Sequence, residues 1–318
     1  MNFVEEALLF PCAGETLAGI VARPVPSPAE NGPHRDGGSA IRAGRSNGSS
    51  TPVHPAERQA RGVLIVVGGP QYRVGSHRQF LLLSRRLASE GYPVMRFDCR
   101  GMGDASGAMR SFQEISTDIG AAIEAFQSAC PSLRQVVLWG LCDAASAALL
   151  YVSATRDRKV AGLVLLNPWV RSEASLAQTR IKHYYGQRLL QPEFWRKLLS
   201  GRMHLLKSTR DLLQTAIMAR RPRAAGLADE RRSFQDRMAD GWREFSGKIL
   251  LILSSNDYTA KEFLEFSGAS PAWSGLLAAS NVRRIDLADA DHTFSSQALR
   301  SAAEGATLAW LDTQEWLG

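Results

Sequence analysis

From residue 62 onwards the chain alternates two kinds of segment. Short unbroken apolar runs are followed, after a turn, by longer stretches whose apolar residues recur three and four positions apart. The runs are Val63–Val67, Gly162–Leu166 and Lys248–Leu253, and Tyr92–Phe97, Gln135–Trp139 and Val282–Asp286 read as further strands. An unbroken run marks a strand buried on both faces, whereas spacing of three and four marks one apolar helix face. The predicted helices cover about His77–Glu90, Gln113–Ala129, GLCDAA to Ala154, Ala260–Phe266, Pro271–Ala279 and Ser296–Trp316. Strand–helix alternation with short connections predicts an α/β fold built on a mostly parallel sheet. Ahead of it, Glu6–Phe10 and Leu17–Ala22 read as two short strands joined at Ala13–Glu15.

Two stretches interrupt the rhythm. Residues 25–60 are dense in Pro, Gly, Ser, Arg and Asn, and bury too little apolar area to offset their ordering entropy. They are expected to form a long flexible loop within the first part of the core, residues 1–167. Residues 168–246 read as helical, with no clear strand, before the alternation returns over 247–318. A helical insertion between two parallel strands is expected to form a cap at the carboxyl edge of the sheet, the edge where open α/β sheets bind ligands.

Charge sharpens that division. The 318 residues carry a formal +7, from 38 Lys and Arg against 31 Asp and Glu. Residues 168–246 alone hold 16 basic and 8 acidic residues, so the excess belongs to the cap and the core is nearly neutral. Within it, PEFWRKLLSGRMHLLK (Pro192–Lys207) has the pattern of a basic amphipathic helix. It suits either packing on the sheet domain or docking to an acidic carrier protein or an anionic membrane surface. The basic residues come with no nucleic-acid-binding signature, so no nucleic-acid partner is expected. No apolar run approaches the roughly 20 residues of a membrane span, and MNFVEEALLF lacks a signal-peptide core. The four cysteines, Cys12, Cys99, Cys130 and Cys142, form no CxxC pair, which argues against a zinc ribbon or a disulfide framework. A cytoplasmic protein with no metal and no cofactor is therefore expected. The GMGDASG loop lacks both the Walker Lys-Ser/Thr and dinucleotide spacing.

The chemistry concentrates in VVLWGLCDAAS. An apolar strand meets a helix through Gly140-Leu141-Cys142-Asp143-Ala144-Ala145. A nucleophile at such a turn sits on strained backbone with its side chain raised above the sheet, provided its neighbours are small, as Gly140, Ala144 and Ala145 are. The following helix points its N-terminal amides at the site, favouring a thiolate and later an oxyanion. Ser146, one turn into that helix, is poorly placed to be the nucleophile.

These motifs resemble the α/β-hydrolase superfamily and its G-x-nucleophile-x-G turn, with Cys142 in the usual Ser position and Ala144 in place of the last Gly. GGPQYRVGSHRQF sits where that superfamily carries its oxyanion loop, and FDCRGMGDASG resembles its D-x-R-G-x-G-x-S loop. SSNDYT follows the Lys248–Leu253 strand and DADHTF the last one. The resemblance thus implies Asp257 as the triad acid and His292 as the base, in the superfamily's chain order. More narrowly, GGPQYRVGSHRQF and WGLCDAASA are similar to hydrolases associated with exosortase A systems and exopolysaccharide gene clusters.

The implied activity is hydrolysis or transfer of an acyl group from a small-molecule or carrier-bound ester or thioester through a Cys142 acyl-enzyme. His292 exchanges the proton and Asp257 holds its tautomer. The Asp143 amide is one expected oxyanion donor. Pro70 has no N–H to give, so the second donor must come from Gly69, Gln71 or Tyr72. Both Asp257, as a helix cap, and the other motif residues have bland structural readings. Asp98, Arg100, Gly101 and Gly103 read as scaffold, His77 and Arg78 as polar surface, and Asp289 and Asp291 as turn formers. The rival function is a non-catalytic protein of this fold that binds an acyl ligand or a partner.

Overall fold

A computed structural model of the chain describes residues 2–25, 53–171 and 232–313. The chain divides into two compact units, residues 1–169 with 234–318, and residues 170–233. The first carries an eight-stranded sheet in the order β1-β2-β4-β3-β5-β6-β7-β8. Its strands are β1 (Asn2–Cys12), β2 (Glu15–Val25), β3 (Arg61–Val66), β4 (Val94–Asp98), β5 (Gln135–Leu141), β6 (Val160–Leu166), β7 (Lys248–Ser254) and β8 (Val282–Leu287). From β4 through β8 every pairing is parallel, and β1 and β2 extend the sheet antiparallel. The unbroken apolar runs are the buried parallel strands. Every residue of β3 and β4, and all but the first residue of β5 and β7, is buried. The mostly parallel α/β sheet expected from the alternation is observed, and it is the α/β-hydrolase fold that the motif resemblance implies.

The helices of this unit are α1 (Pro55–Ala60), α2 (Gln79–Ser89), α3 (Ser116–Ala129), α4 (Asp143–Thr155), α5 (Phe234–Glu244), α6 (Tyr258–Ala269) and α7 (Gln297–Leu311). On one side of the sheet Phe80, Leu83 and Leu87 of α2 share a core with Trp310 and Leu311 of α7 and with Val137, Trp139 and Val164. Helix α4, built from Ala and Leu, buries all residues from Ala144 to Val152, and short side chains let it approach β5 closely.

Several boundaries differ from the sequence reading. The N-terminal strands are each 11 residues long, because the two-residue turn at Ala13 (φ 50°) and Gly14 (φ 84°) allows a full hairpin register from Cys12↔Glu15 to Asn2↔Val25. Residues 55–60, expected within the flexible loop, form α1, capped by the His54 side chain with Pro55 in its first turn. The rest of that loop, residues 26–52, lies outside the described residues. Helix α5 belongs with the sheet unit rather than with the insertion. It buries Phe234, Met238 and Trp242, and Trp242 stacks against Phe263 of α6. Residues 271–279 are two short 3-10 turns, Pro271–Trp273 and Leu276–Ala278, instead of one helix. The expected cap, including Pro192–Lys207, falls almost entirely on residues outside the description. Drawn at the observed boundary, residues 170–233 contain 14 Lys and Arg against 5 Asp and Glu. Among the described residues no helix is long and apolar enough to cross a membrane.

Candidate active site

Four strand ends build the site. At the end of β5, Cys142 adopts φ 62° and ψ −122°, a conformation that costs of order 1–3 kcal/mol for a residue with a Cβ. Three groups hold it there. The Cys142 N–H donates to Leu166 O of β6 at 2.8 Å, its carbonyl accepts the Trp169 N–H at 3.2 Å, and α4 begins at the next residue. A Cβ on Gly140 would lie 2.6–2.7 Å from the backbone of Ala144 and Ala145, so the turn closes only with glycine at that position. Ser146 is fully buried and donates to Trp169 O at 2.7 Å, a structural role.

At the end of β7, Asp257 is buried and has ordinary extended backbone, φ −125°. Its two carboxylate oxygens do different work. Oδ1 accepts the Thr259 N–H at 3.1 Å and caps α6, while Oδ2 lies 2.8 Å from His292 Nδ1. One oxygen thus caps the helix and the other meets the imidazole. His292 follows β8. Asp291 accepts the Ser295 N–H at 2.9 Å and Asp289 takes a left-handed conformation, φ 58°, so these two acids shape the turn that presents the imidazole.

Cys142 is the second group that favours a protonated His292, and with Nδ1 committed to Asp257, Nε2 is the nitrogen left to face the sulfur. The Asp257 carboxylate, followed by Cys142, pushes the His292 pKa up to about 10. Asp257 itself is held below the usual carboxylate range, the bonds from His292 and the Thr259 amide outweighing burial. The raised pKa favours an imidazolium between a carboxylate and a sulfur. The other cysteines lack such a partner. Burial pushes Cys12 and Cys130 up to about 11 and Cys99 well above the ordinary thiol range. Cys12 adds a carboxylate, donating to Asp118 Oδ1 at 3.4 Å.

The loop after β3 lies beside this centre because β3 pairs with β5 in parallel, Val66 opposite Gly140. Of the expected second oxyanion donors, the Gly69 N–H donates to Asp143 Oδ2 at 2.8 Å and the Gln71 N–H donates to Gly69 O at 2.8 Å. Tyr72 turns its hydroxyl to Asp104 at 3.0 Å and stacks under the Arg73 guanidinium. Asp143, which follows the nucleophile, thus aims its carboxylate at the loop. Burial holds that carboxyl above its ordinary range against the pull of the Gly69, Ala144 and Asp143 backbone N–H groups and of His292. A cavity of about 180 Å³ opens here, lined among others by Val67, Pro70, Met102, Phe112, Ile115 and Asp143.

The D-x-R-G-x-G loop braces this region from behind. Buried Asp98 accepts the Arg73 N–H at 2.7 Å and the Asp104 N–H at 3.0 Å, and pairs with the Arg73 guanidinium. Gly103, at φ 53°, packs directly on that carboxylate, and Arg100 bonds buried Asp118 at 2.6 Å. His77 and Arg78 are exposed, both in left-handed conformation ahead of α2. Sequence reasoning missed two supporting residues. Fully buried Asn167 (φ 45°) donates to Ser254 Oγ at 2.9 Å and accepts the Ser254 N–H at 2.9 Å, tying the ends of β6 and β7 together beneath the acid. An Asn directly after an apolar strand was its only signal. Arg73, the brace on the oxyanion loop, had none. Among the described residues no cluster of three or more His, Cys, Asp or Glu could hold a metal ion.

Comparison with known proteins agrees with the fold. Residues 58–261 match the Hydrolase_4 family, described as serine aminopeptidase, S33. Among solved structures, an esterase from Pyrococcus furiosus superposes with a TM-score of 0.56 at 14% identity, covering 97% of this chain and 92% of that one. A serine hydrolase without lid from Xanthomonas campestris gives 0.51 at 14%, covering 99% and 98%. The ferulic acid-bound protein Est1E of Butyrivibrio proteoclasticus gives 0.53 at 14%, covering 96% and 98%. At these identities the structural neighbours speak for the fold alone. Among curated proteins no relative matches.

Proposed function

The chain belongs to the serine aminopeptidase S33 family of α/β hydrolases, and from that premise we propose that it hydrolyses or transfers acyl groups of esters or thioesters through a Cys142 acyl-enzyme. The observation that carries this reading is the line Asp257–His292–Cys142, with its 2.8 Å carboxylate–imidazole contact and the nucleophile on a strained strand-to-helix turn.

The steps follow from the charges. Cys142 Sγ, as thiolate, attacks the carbonyl carbon and forms a C–S bond, and the carbonyl oxygen becomes the oxyanion. As the intermediate collapses, the bond to the leaving alcohol or thiol breaks and the His292 imidazolium gives it a proton. Water or an acceptor alcohol then attacks the thioester while His292 takes its proton, and Cys142 leaves as thiolate. Asp257 stays ionised throughout and stabilises the imidazolium. The thiolate is a better leaving group than an unprotonated amine, so a tetrahedral intermediate on a peptide tends to revert and the chemistry favours activated acyl donors. We therefore assign esters and thioesters as substrates rather than the peptides that the family's description names. The excess of basic residues in 170–233 supports a donor on an acidic carrier or another anionic support.

The test is intact-mass detection of an adduct after exposure to p-nitrophenyl esters and acyl thioesters. A transient acyl group on Cys142 is expected, absent in Cys142→Ala and slow to form in His292→Ala. Unchanged turnover in Cys142→Ala would refute the assignment. One observation favours a second reading, a non-catalytic protein that binds an acyl ligand. The Gly69 and Gln71 amides are already engaged within the chain, and Pro70 has none to offer. Ligand binding with no adduct in any variant would select it.

A further inference from the structure

The engaged Gly69 amide has a specific partner. Asp143 supplies its own backbone N–H to the expected oxyanion hole, and its side chain folds back over the same place. Oδ2 accepts the Gly69 N–H at 2.8 Å. Any Cβ on Gly68 would collide with Asp143 Oδ1, so the loop is bare where the carboxylate lies. A backbone N–H held against an anion beside the nucleophile is the arrangement that stabilises a developing oxyanion. Here the anion belongs to the protein.

We propose that the Asp143 carboxylate is the resting occupant of the oxyanion hole, and that it gates acyl transfer by yielding the Gly69 amide only when a substrate carbonyl displaces it. The inference rests on the acyl-enzyme reading above. Asp143 lines the 180 Å³ cavity beside the hole, which gives its side chain room to turn. Reactions of Cys142 that develop an oxyanion are then slowed by the carboxylate. Reactions that develop none, such as alkylation, do not draw on the hole. Asp143 is in this sense a positioning residue whose removal separates the two kinds of reaction.

The experiment compares the full-length protein with Asp143→Ala and Asp143→Asn. Intact mass follows two rates at Cys142, acylation by p-nitrophenyl acetate and alkylation by iodoacetamide. Their ratio cancels any general change in thiol reactivity. In Asp143→Ala the ratio is expected to rise at least tenfold, since one freed backbone donor is worth roughly a hundredfold in rate. Asp143→Asn keeps an acceptor oxygen on the Gly69 amide without the charge, so its ratio should rise less but stay above that of the wild type. A ratio that is unchanged or lower in Asp143→Asn, or in a folded Asp143→Ala, overturns the gate alone. Alkylation of Cys142 without acylation in any of the three proteins overturns the acyl-enzyme reading, and the gate with it.

Discussion

The β5–α4 turn and the β7–α6 turn have the same plan: a buried parallel strand, a short turn, a functional residue, then a helix. They meet different demands. Cys142 must lift a two-atom side chain above the sheet, and does so on left-handed backbone that requires Gly140, Ala144 and Ala145 around it. Asp257 reaches with a longer side chain from relaxed backbone, and its neighbours Ser255 and Asn256 are exposed. The comparison teaches that strain and small neighbours accompany the short nucleophile, whereas an acid needs only a cap position and a spare oxygen. It also explains why the acid is the harder residue to identify from sequence, since every helix cap of this type looks alike.

The largest effect should come from dividing Asp257's two roles. Asp257→Asn keeps a capping oxygen but loses the charge paired with His292, so urea unfolding should change by the pair alone, roughly 1–3 kcal/mol. Cys142 acylation should nevertheless fall by roughly 10⁴, the scale seen when a triad acid is replaced by its amide. Its pH profile supplies the sign. His292 is raised to about 10, so the proton that the leaving group needs is held below that pH and lost as pH rises through it. The rate in the parent should thus decline above about pH 10, and with the Asp257 charge removed the decline in Asp257→Asn should move towards neutrality. A decline at the same pH in both would mean that Asp257 does not set the imidazole.

An intermediate effect belongs to the strained turn. Gly140→Ala places a methyl group against the α4 backbone and should cost roughly 1–3 kcal/mol in urea unfolding. The smallest belongs to the relaxed one. Asn256→Ala, at an exposed position one residue before the acid, should stay within about 0.5 kcal/mol. Equal costs at the two positions would refute the contrast between the turns.

Much of the sheet was legible because it is written locally. Runs such as Val63–Val67 and Lys248–Leu253 can only be strands buried on both faces, and Gly140-Leu141-Cys142 announces a tight turn by the size of its neighbours. Helix α5 was misread as part of the insertion because an amphipathic pattern shows that a face is buried, not against what. Its partners, Phe263 and Trp273, come later in the chain.

By itself the sequence determined the strands, the helices and the strand ends that bear Cys142, Asp257 and His292, because apolar periodicity and turn chemistry act over a few residues. Only the tertiary structure decided which acid holds the imidazole. Asp289 and Asp291 are nearer in sequence, yet Asp257, 35 residues away, makes the 2.8 Å contact because β7 and β8 are adjacent. It likewise decided that Asp143 meets Gly69, 74 residues distant, through the pairing of β3 with β5. Contacts of that separation are fixed by strand order and register, which arise from the whole sheet's packing and from no segment alone.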